Sequence, residues 1–116
     1  MELFLVLLIK HAIVDLGIQS HLRNIDKFTY LGNGHVHYLQ HALGTLVVAI
    51  FFLEPSSGLA ITIIDYLAHW HIDWAKHRFN TLVRVVPRTA AWWWTNVVDQ
   101  ILHFTTYYVI ALLYAA

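Results

Sequence analysis

The sequence contains no cysteine and few charged residues. Without cysteine the chain can form neither disulfide bonds nor thiolate metal sites, and it offers no cysteine nucleophile. Lys, Arg, Asp and Glu make up only 12% of its 116 residues, whereas about a quarter is usual in soluble domains. The formal net charge is zero, so the chain lacks the electrostatic footprint of a nucleic-acid-binding protein and we expect no nucleic-acid partner.

Apolar residues take the place of the missing charge. Hydrophobic residues make up 59% of the sequence, and the mean hydropathy is +0.57. This composition leaves too little polar surface to cover a globule in water, which predicts a single integral membrane domain over residues 1–116. The first residues, MELFLVLLIKHAIVD, have no basic N-terminal region and no small-residue cleavage site, so we interpret them as a retained helix rather than a signal peptide.

Four apolar stretches predict membrane-spanning helices, each long enough to cross a hydrocarbon core of about 30 Å. They cover residues 2 to about 19, 37–53, 58–76 and 95–115. The short turn EPSSG after Leu53 makes the second and third helices an antiparallel hairpin. The predicted fold class is therefore all-α, an up-down bundle of four transmembrane helices.

The connection between the third and fourth helices, residues 77–94, contains a short amphipathic segment. Its apolar residues share one helical face: Phe79, Leu82, Val83 and Val86. This predicts a short interfacial helix before the fourth span, and the tryptophans at 92–94 predict an aromatic belt. Apart from Lys10, every Lys and Arg lies at one of the two long connections. The positive-inside rule therefore predicts that both long connections are cytoplasmic and both termini are outside.

Ionisable residues occur inside all four predicted spans, as pairs spaced four residues apart. The pairs are His11 and Asp15, His37 and His41, His69 and Asp73, and Asp99 and His103. This spacing puts both side chains of a pair on one helix face. In an up-down bundle all four pairs lie at the same depth, so we predict one polar layer, near the cytoplasmic side, that contains all eight residues.

The residue types of this layer predict a metal centre. One ion takes about four to six imidazole or carboxylate ligands, so the eight residues can hold one or two divalent ions such as Zn, Fe or Mn. Two ions about 4 Å apart can activate a water and stabilise the leaving oxygen of a phosphoester. The alternative is a polar packing network or a proton relay. Intramembrane ionisable residues cost roughly 3 kcal/mol each, which favours metal over packing alone.

Other polar residues extend the predicted site. Lys76 follows Asp73 by three residues and is predicted to hold a phosphate or a developing oxyanion, the alternative being a lysine that extends to the membrane boundary. Asp99 is predicted as the general base or as a ligand. Gln19 and Gln100 are predicted to orient ligands from outside the centre, the alternative for both being helix capping or simple interface polarity.

Two further charges lie deeper in the predicted bilayer than this layer. Asp65 precedes His69 by one turn, and Lys10 lies at a comparable depth in the first helix. Because an unpaired charge is costly there, we predict a buried ion pair between Lys10 and Asp65. The remaining histidines are predicted to lie at the membrane boundary or to face away from the layer: His21, His35, His71 and His77.

The same residues carry a resemblance. The series H-x-x-x-D, H-x-x-x-H, H-x-x-x-D-x-x-K and D-Q-x-x-H resembles the pattern of domain-of-unknown-function family 3307, small multi-pass membrane proteins of bacteria and phages. Its strongest pieces are HIDWAK, preceded by His69, and DQILH, and the match spans nearly the whole chain. Leu16 and Gly17 depart from it, because the family commonly has an aromatic residue there. The resemblance implies a helical protein of the bacterial cytoplasmic membrane, with a looser similarity to predicted membrane-bound metal-dependent hydrolases.

We therefore expect a membrane-embedded metal-dependent hydrolase, acting at the cytoplasmic surface on a lipid or another phosphate-containing, ester or amide group. The main alternative is a non-catalytic membrane protein, either a proton or ion relay or a phage-envelope partner. Transport is disfavoured because the outer halves of the second and fourth helices have almost no polar residues. Haem between histidines of two helices is a third alternative, made less favourable by three nearby aspartates. Small residues such as Ala42 and Gly44 fit either oligomerisation or packing within one chain.

Overall fold

The computed structural model describes residues 2–18, 30–32 and 34–114. This part of the chain contains four α-helices: α1 (Glu2–Ala12), α2 (His35–Phe52), α3 (Pro55–Leu82) and α4 (Ala90–Tyr114). A π-helical segment of six residues, Ile13–Ile18, continues α1. Among the described residues no strand occurs, so the predicted all-α class with four helices is confirmed.

The turn between α2 and α3 follows from its sequence. Leu53 and Glu54 adopt extended backbone conformations, and Pro55 occupies the first helical position, where its fixed φ suits a helix and its missing N–H costs nothing. The exposed Glu54 carboxylate accepts hydrogen bonds from the hydroxyls of Ser56 at 2.7 Å and Ser57 at 3.0 Å. These bonds lower the pKa of Glu54. Because Pro55 can begin a helix, α3 starts three residues before the predicted Gly58.

The helices pack in chain order, and α4 closes the bundle against α1. One end of the interior is an apolar core formed by Leu3, Leu7, Val48, Ala49, Ile61, Tyr107 and Ile110. These positions lie at the start of α1, the end of α2, the start of α3 and the end of α4. Sequential helices therefore run antiparallel, as an up-down bundle requires.

The other half of the interior is polar, and the outside is apolar. The buried polar residues are Lys10, His11, His37, His41, Thr45, Asp65, His69, Asp73, Asp99 and His103. Large apolar side chains instead face outward on all four helices; Phe51, for example, is 80% exposed. In a soluble protein the interior is mostly apolar and the exterior is more polar, so this distribution is reversed. An apolar exterior of this extent marks an interaction surface. Two helices, α2 and α4, are long and apolar enough to cross a membrane.

The predicted interfacial helix before the fourth span is wrong. Residues 77–82 contain no proline or glycine, so α3 continues through them to Leu82 rather than ending at Lys76. The chain then turns, with Arg84 (φ 59°) and Arg88 (φ 67°) in the left-handed region. The tryptophans at 92–94 belong to the first turns of α4 rather than to a loop. Their role as an aromatic belt stays a prediction.

Gly44 lets α1 and α2 approach closely. A Cβ atom at this position would lie 2.8 Å from Cδ and 3.0 Å from Cγ of Lys10. The Lys10 side chain therefore crosses α2 at the one place in its path where a side chain is missing. Gly44 thus packs within the chain, which is one of the two roles that its small size allowed.

Candidate metal centre

The structure brings the five histidines of the predicted layer into one buried cluster. Each is at most 2% exposed: His11, His37, His41, His69 and His103. The rings of His41 and His69 stack with centroids 3.7 Å apart, and those of His69 and His103 with centroids 3.9 Å apart. The His37 ring lies edge-on to His41 at 4.6 Å. His69 of α3 is therefore the centre of the cluster.

Four donors form a first group, in which one ligand atom from each lies within 4.8 Å of the others. The group consists of Asp15, His37, His41 and His69. Asp15 Oδ1 lies 3.2 Å from Nε2 of His37 and 3.4 Å from Nε2 of His41. Asp15 belongs to the π-helical segment, whose wider turn carries its carboxylate toward α2.

A second group of three donors adjoins the first, and His69 belongs to both. It consists of His69, Asp73 and His103, whose ligand atoms again lie within 4.8 Å of one another. Asp73 Oδ1 is 3.0 Å from His103 Nε2, and Asp73 Oδ2 is 3.9 Å from His69 Nε2. Two histidines and one carboxylate are a donor set that suits iron and related divalent ions.

The ligand nitrogens of the first group are buried without hydrogen bonds, whereas His103 Nε2 of the second group donates to Asp73 Oδ1 at 3.0 Å. Within the described residues, both ring nitrogens of His37 and of His69, and Nε2 of His41, have no hydrogen-bond partner. The nearby Asp15 oxygen lies at ion-pair distance from His37 and His41 but outside hydrogen-bond geometry. A buried unsatisfied polar group costs about 1–3 kcal/mol, and a shared cation would satisfy several at once. The residues therefore fit a divalent metal ion.

Lys10 and Asp65 form an ion pair directly beneath His41. Lys10 Nζ donates to Asp65 Oδ2 at 3.0 Å, to the Tyr107 hydroxyl at 2.8 Å and to the carbonyl oxygen of His41 at 3.3 Å. Asp65 also accepts a hydrogen bond from Thr45. Nδ1 of His41 also lies within hydrogen-bond distance of Lys10 Nζ, at 3.3 Å, and Nε2 of the same ring faces Asp15.

His11 lies in the cluster but in neither donor group. Its Nε2 must donate to Gln100 Oε1 at 3.1 Å, because a carbonyl oxygen only accepts, and its Nδ1 then accepts from the Tyr107 hydroxyl at 3.3 Å. Gln100 in turn donates to Asp99 Oδ2 at 3.1 Å. His11 was predicted as a ligand, but both of its nitrogens are used in hydrogen bonds. Gln100 connects His11 to Asp99.

Asp99 and Lys76 lie beside the second donor group rather than within it. Asp99 Oδ1 is 3.4 Å from His103 Nε2, and its Oδ2 is 3.5 Å from Lys76 Nζ. Lys76 also donates to Asn96 Oδ1 at 3.2 Å. Asp99 thus stands between the histidine cluster and the Lys76 ammonium.

An apolar groove between α3 and α4 leads to Lys76 and Asp99. Its cavity volume is about 600 Å³. Its walls include Ile72, Phe79, Trp94, Val98 and Leu102, and both Lys76 and Asp99 line it. We call this space the α3–α4 groove. Four of its wall residues also belong to the exposed apolar exterior: Phe79, Trp94, Val98 and Leu102.

Three residues of the site were missed by the sequence analysis: Thr45, Asn96 and Tyr107. Thr45 and Tyr107 each follow a predicted histidine by four residues, so the spacing that revealed the pairs extends to both. Asn96 precedes Asp99 by three residues, on the same face of α4. The same periodicity could have found them, but uncharged residues do not stand out in an apolar helix.

The other predicted residues lie away from the cluster or outside the described chain. His71 contacts the Tyr30 hydroxyl and the Leu67 carbonyl oxygen, both at 2.7 Å, so it faces away from the cluster as predicted. His35 is not a solvated loop residue: it begins α2, half-buried against Trp70. Gln19 and His21 lie outside the described residues.

A scan against protein-family models found no match for the chain, and searches of curated proteins and of solved structures found none either. The resemblance to family 3307 therefore rests on the sequence motifs alone.

Proposed function

We propose that this chain is a membrane-embedded, metal-dependent hydrolase whose metal centre lies in the histidine cluster between the four helices. The observation that carries the proposal is the set of buried, unsatisfied donor nitrogens on His37, His41 and His69, grouped around the Asp15 carboxylate. Three imidazoles and one carboxylate are a ligand set for Zn, Fe or Mn. A second ion, in the group of His69, Asp73 and His103, would need His69 to bind through both ring nitrogens.

The distribution of apolar residues supports a bundle in which all four helices cross the bilayer. α2 and α4 have the length and composition of spans. α3 has more charged residues, but Asp65 and Asp73 are buried inside the bundle rather than exposed to lipid. Arg78, Arg84 and Arg88 follow the polar half of α3, so the positive-inside rule favours a cytoplasmic metal centre with both termini outside.

The chain's own groups are suited to hydrolysis of a phosphoester. A bound ion would supply positive charge and lower the pKa of a coordinated water. Asp99, next to His103, would accept the proton of the attacking water, and the Lys76 ammonium would stabilise charge on the phosphate oxygens. Water oxygen adds to phosphorus, the ester P–O bond breaks, and the alcohol leaves with a proton. No further reactant is required.

A proton relay is the second candidate, favoured by a continuous hydrogen-bonded chain. Lys10 donates to Tyr107, Tyr107 to His11, His11 to Gln100 and Gln100 to Asp99. All donor and acceptor roles agree along this chain, but the Gln100 amide accepts at oxygen and donates from nitrogen, so it passes a proton less readily than the Asp, Glu and His groups of proton pathways. The hydrogen-bonded chain also remains in one half of the bundle, because the other half is filled by the apolar core. Haem is less favoured, since His41 and His69 stack directly on each other.

The test is the metal content of detergent-purified protein, measured by plasma mass spectrometry. We expect one or two equivalents of a transition metal in the wild type and in His71→Ala, and a loss of at least one equivalent in His69→Ala. The two histidines are two residues apart on α3, but only His69 belongs to the donor groups. Equal metal content in both variants, or no metal in the wild type after reconstitution with Zn, Fe and Mn, would contradict a metal centre here.

A further inference from the structure

The surface of the α3–α4 groove is almost entirely apolar, and Lys76 and Asp99 are among the residues that line it. Phe79, Val98 and Leu102 contribute apolar surface, and the charged groups are those of Lys76 and Asp99. The volume of about 600 Å³ is within the range of roughly 300–1,000 Å³ that is usual for ligand sites. A ligand matched to this surface is apolar over most of its length, and a compact anionic end would lie at Lys76.

Lys76 can bind the anionic end. Among its described neighbours the ammonium donates to Asn96 at 3.2 Å and pairs with Asp99 at 3.5 Å, and an ammonium has a third proton to donate. Its side chain is 17% exposed, so an oxygen entering along the groove can reach it. Phosphate also carries enough oxygens to contact Lys76 and a nearby cation together.

We propose that the α3–α4 groove binds an acyl chain of a membrane lipid that carries a phosphate monoester, with the phosphate at Lys76. This inference rests on the proposed function, because the phosphoester would then lie beside Asp99 and the second donor group. Because Phe79, Trp94 and Val98 line the groove and are also exposed on the apolar exterior, the acyl chain would enter from the bilayer without crossing water. Hydrolysis releases the neutral lipid alcohol and inorganic phosphate, with water as the only co-reactant.

The chain offers a matched pair of variants. Val98 lines the groove, whereas its neighbour Val97 does not, and the two valines are 54% and 43% exposed. Val98→Trp fills the groove, and Val97→Trp adds the same side chain to the exterior beside it. Leu102→Trp and Ile101→Trp repeat the comparison one turn later, in case Val98→Trp does not fold.

The probe is phosphatidic acid with a photoreactive acyl chain, present as a minor component of phosphatidylcholine vesicles that contain the full chain. We expect labelled peptides on α3 and α4 around the groove. We expect Val98→Trp to reduce this labelling by about tenfold and Val97→Trp to leave it unchanged. Labelling spread equally over all helices, or equal labelling of the two variants, would overturn the proposal. Chain-to-chain crosslinks through the groove would assign it to a second copy and would overturn it too.

The headgroup is tested with the same photoreactive chain on phosphatidylcholine. We expect the wild type and Lys76→Arg to prefer the phosphatidic acid probe, and Lys76→Gln to lose that preference while keeping the acyl-chain label. If Lys76→Gln still prefers the phosphatidic acid probe, the proposal that Lys76 binds the phosphate is wrong.

Metal content measured on the same samples separates this proposal from the proposed function. Labelling that is sensitive to Val98→Trp in a protein that holds no metal would support the groove and contradict the hydrolase. A metal-loaded protein that hydrolyses a water-soluble phosphoester, but labels equally in both valine variants, would support the hydrolase and overturn the groove.

Discussion

Nζ of Lys10 in α1 lies 3.0 Å from Oδ2 of Asp65 in α3, although the two residues are 55 positions apart in the sequence. The two side chains are only 6% and 1% exposed. The pair separates the apolar core of the bundle from the histidine cluster, and the Lys10 ammonium also bonds the backbone of His41. It therefore ties α1, α2 and α3 together directly below the donor nitrogens.

Breaking this pair from one side is expected to be costly. Lys10→Met leaves the Asp65 carboxylate buried without its cation, and removing one partner of a buried ion pair costs about 3–5 kcal/mol. Adding Asp65→Asn to Lys10→Met should recover most of that loss, because the uncompensated charge is gone. The measurement is a double-mutant cycle. It compares the free energies of unfolding, in detergent, of the wild type, both single variants and the double variant. A double variant no more stable than Lys10→Met would refute the coupling.

Gly44→Ala is expected to destabilise the protein although alanine favours helices. The added Cβ would lie 2.8 Å from Lys10 Cδ, so the lysine or α2 must move, at a cost of about 1–3 kcal/mol. In a Lys10→Ala background the clash is absent. The same change should then stabilise α2 by up to about 1 kcal/mol. Thermal unfolding of the four proteins checks this reversal of sign; a Gly44→Ala effect independent of residue 10 would contradict it.

Removal of metal is expected to lower the stability of the folded bundle. An ion that binds the native state adds its binding free energy to folding, so chelator treatment should reduce the unfolding temperature of the wild type and of His71→Ala. His69→Ala should not respond, because it lacks the central ligand. The measurement is the unfolding temperature of each protein with chelator, without chelator and after the metal is added back. An equal response of His69→Ala would indicate that chelator acts elsewhere.

The helices and the polar layer could be predicted because both depend on local periodicity. A spacing of four residues puts His37 and His41 on one helix face whatever surrounds them, and short connections force neighbouring helices to be antiparallel. The depth at which Lys10 and Asp65 lie followed from the same count along α1 and α3.

The orientation of individual donors could not be predicted in this way. His11 and Asp15 have the same spacing as the other pairs, but Asp15 lies against His37 and His41 of α2. His11 instead makes hydrogen bonds to residues of α4. The donors form two groups, and His69 belongs to both. This arrangement depends on side-chain contacts between helices, which cannot be predicted from the periodicity of a single helix. Likewise the end of α3 was set by the turn at Arg84 and not by the charge at Lys76.

Tyr107 offers the most specific test of the hydrogen-bonded chain behind the cluster. Its hydroxyl accepts from Lys10 at 2.8 Å and donates to His11 at 3.3 Å. Tyr107→Phe leaves the shape of the core unchanged but removes one partner from each of these buried groups, which should cost about 1–3 kcal/mol. Tyr108→Phe is the matched control, because the adjacent tyrosine is 44% exposed on the outside of α4.

Both tyrosine variants should keep their metal, because Tyr107 belongs to neither donor group. Unfolding free energies and metal content of the two proteins together separate a supporting role from a ligand role. Loss of metal in Tyr107→Phe with unchanged stability would mean that the hydroxyl acts on the ion itself. Equal stability of the two variants with full metal content would mean that the chain from Lys10 to His11 contributes nothing to the fold.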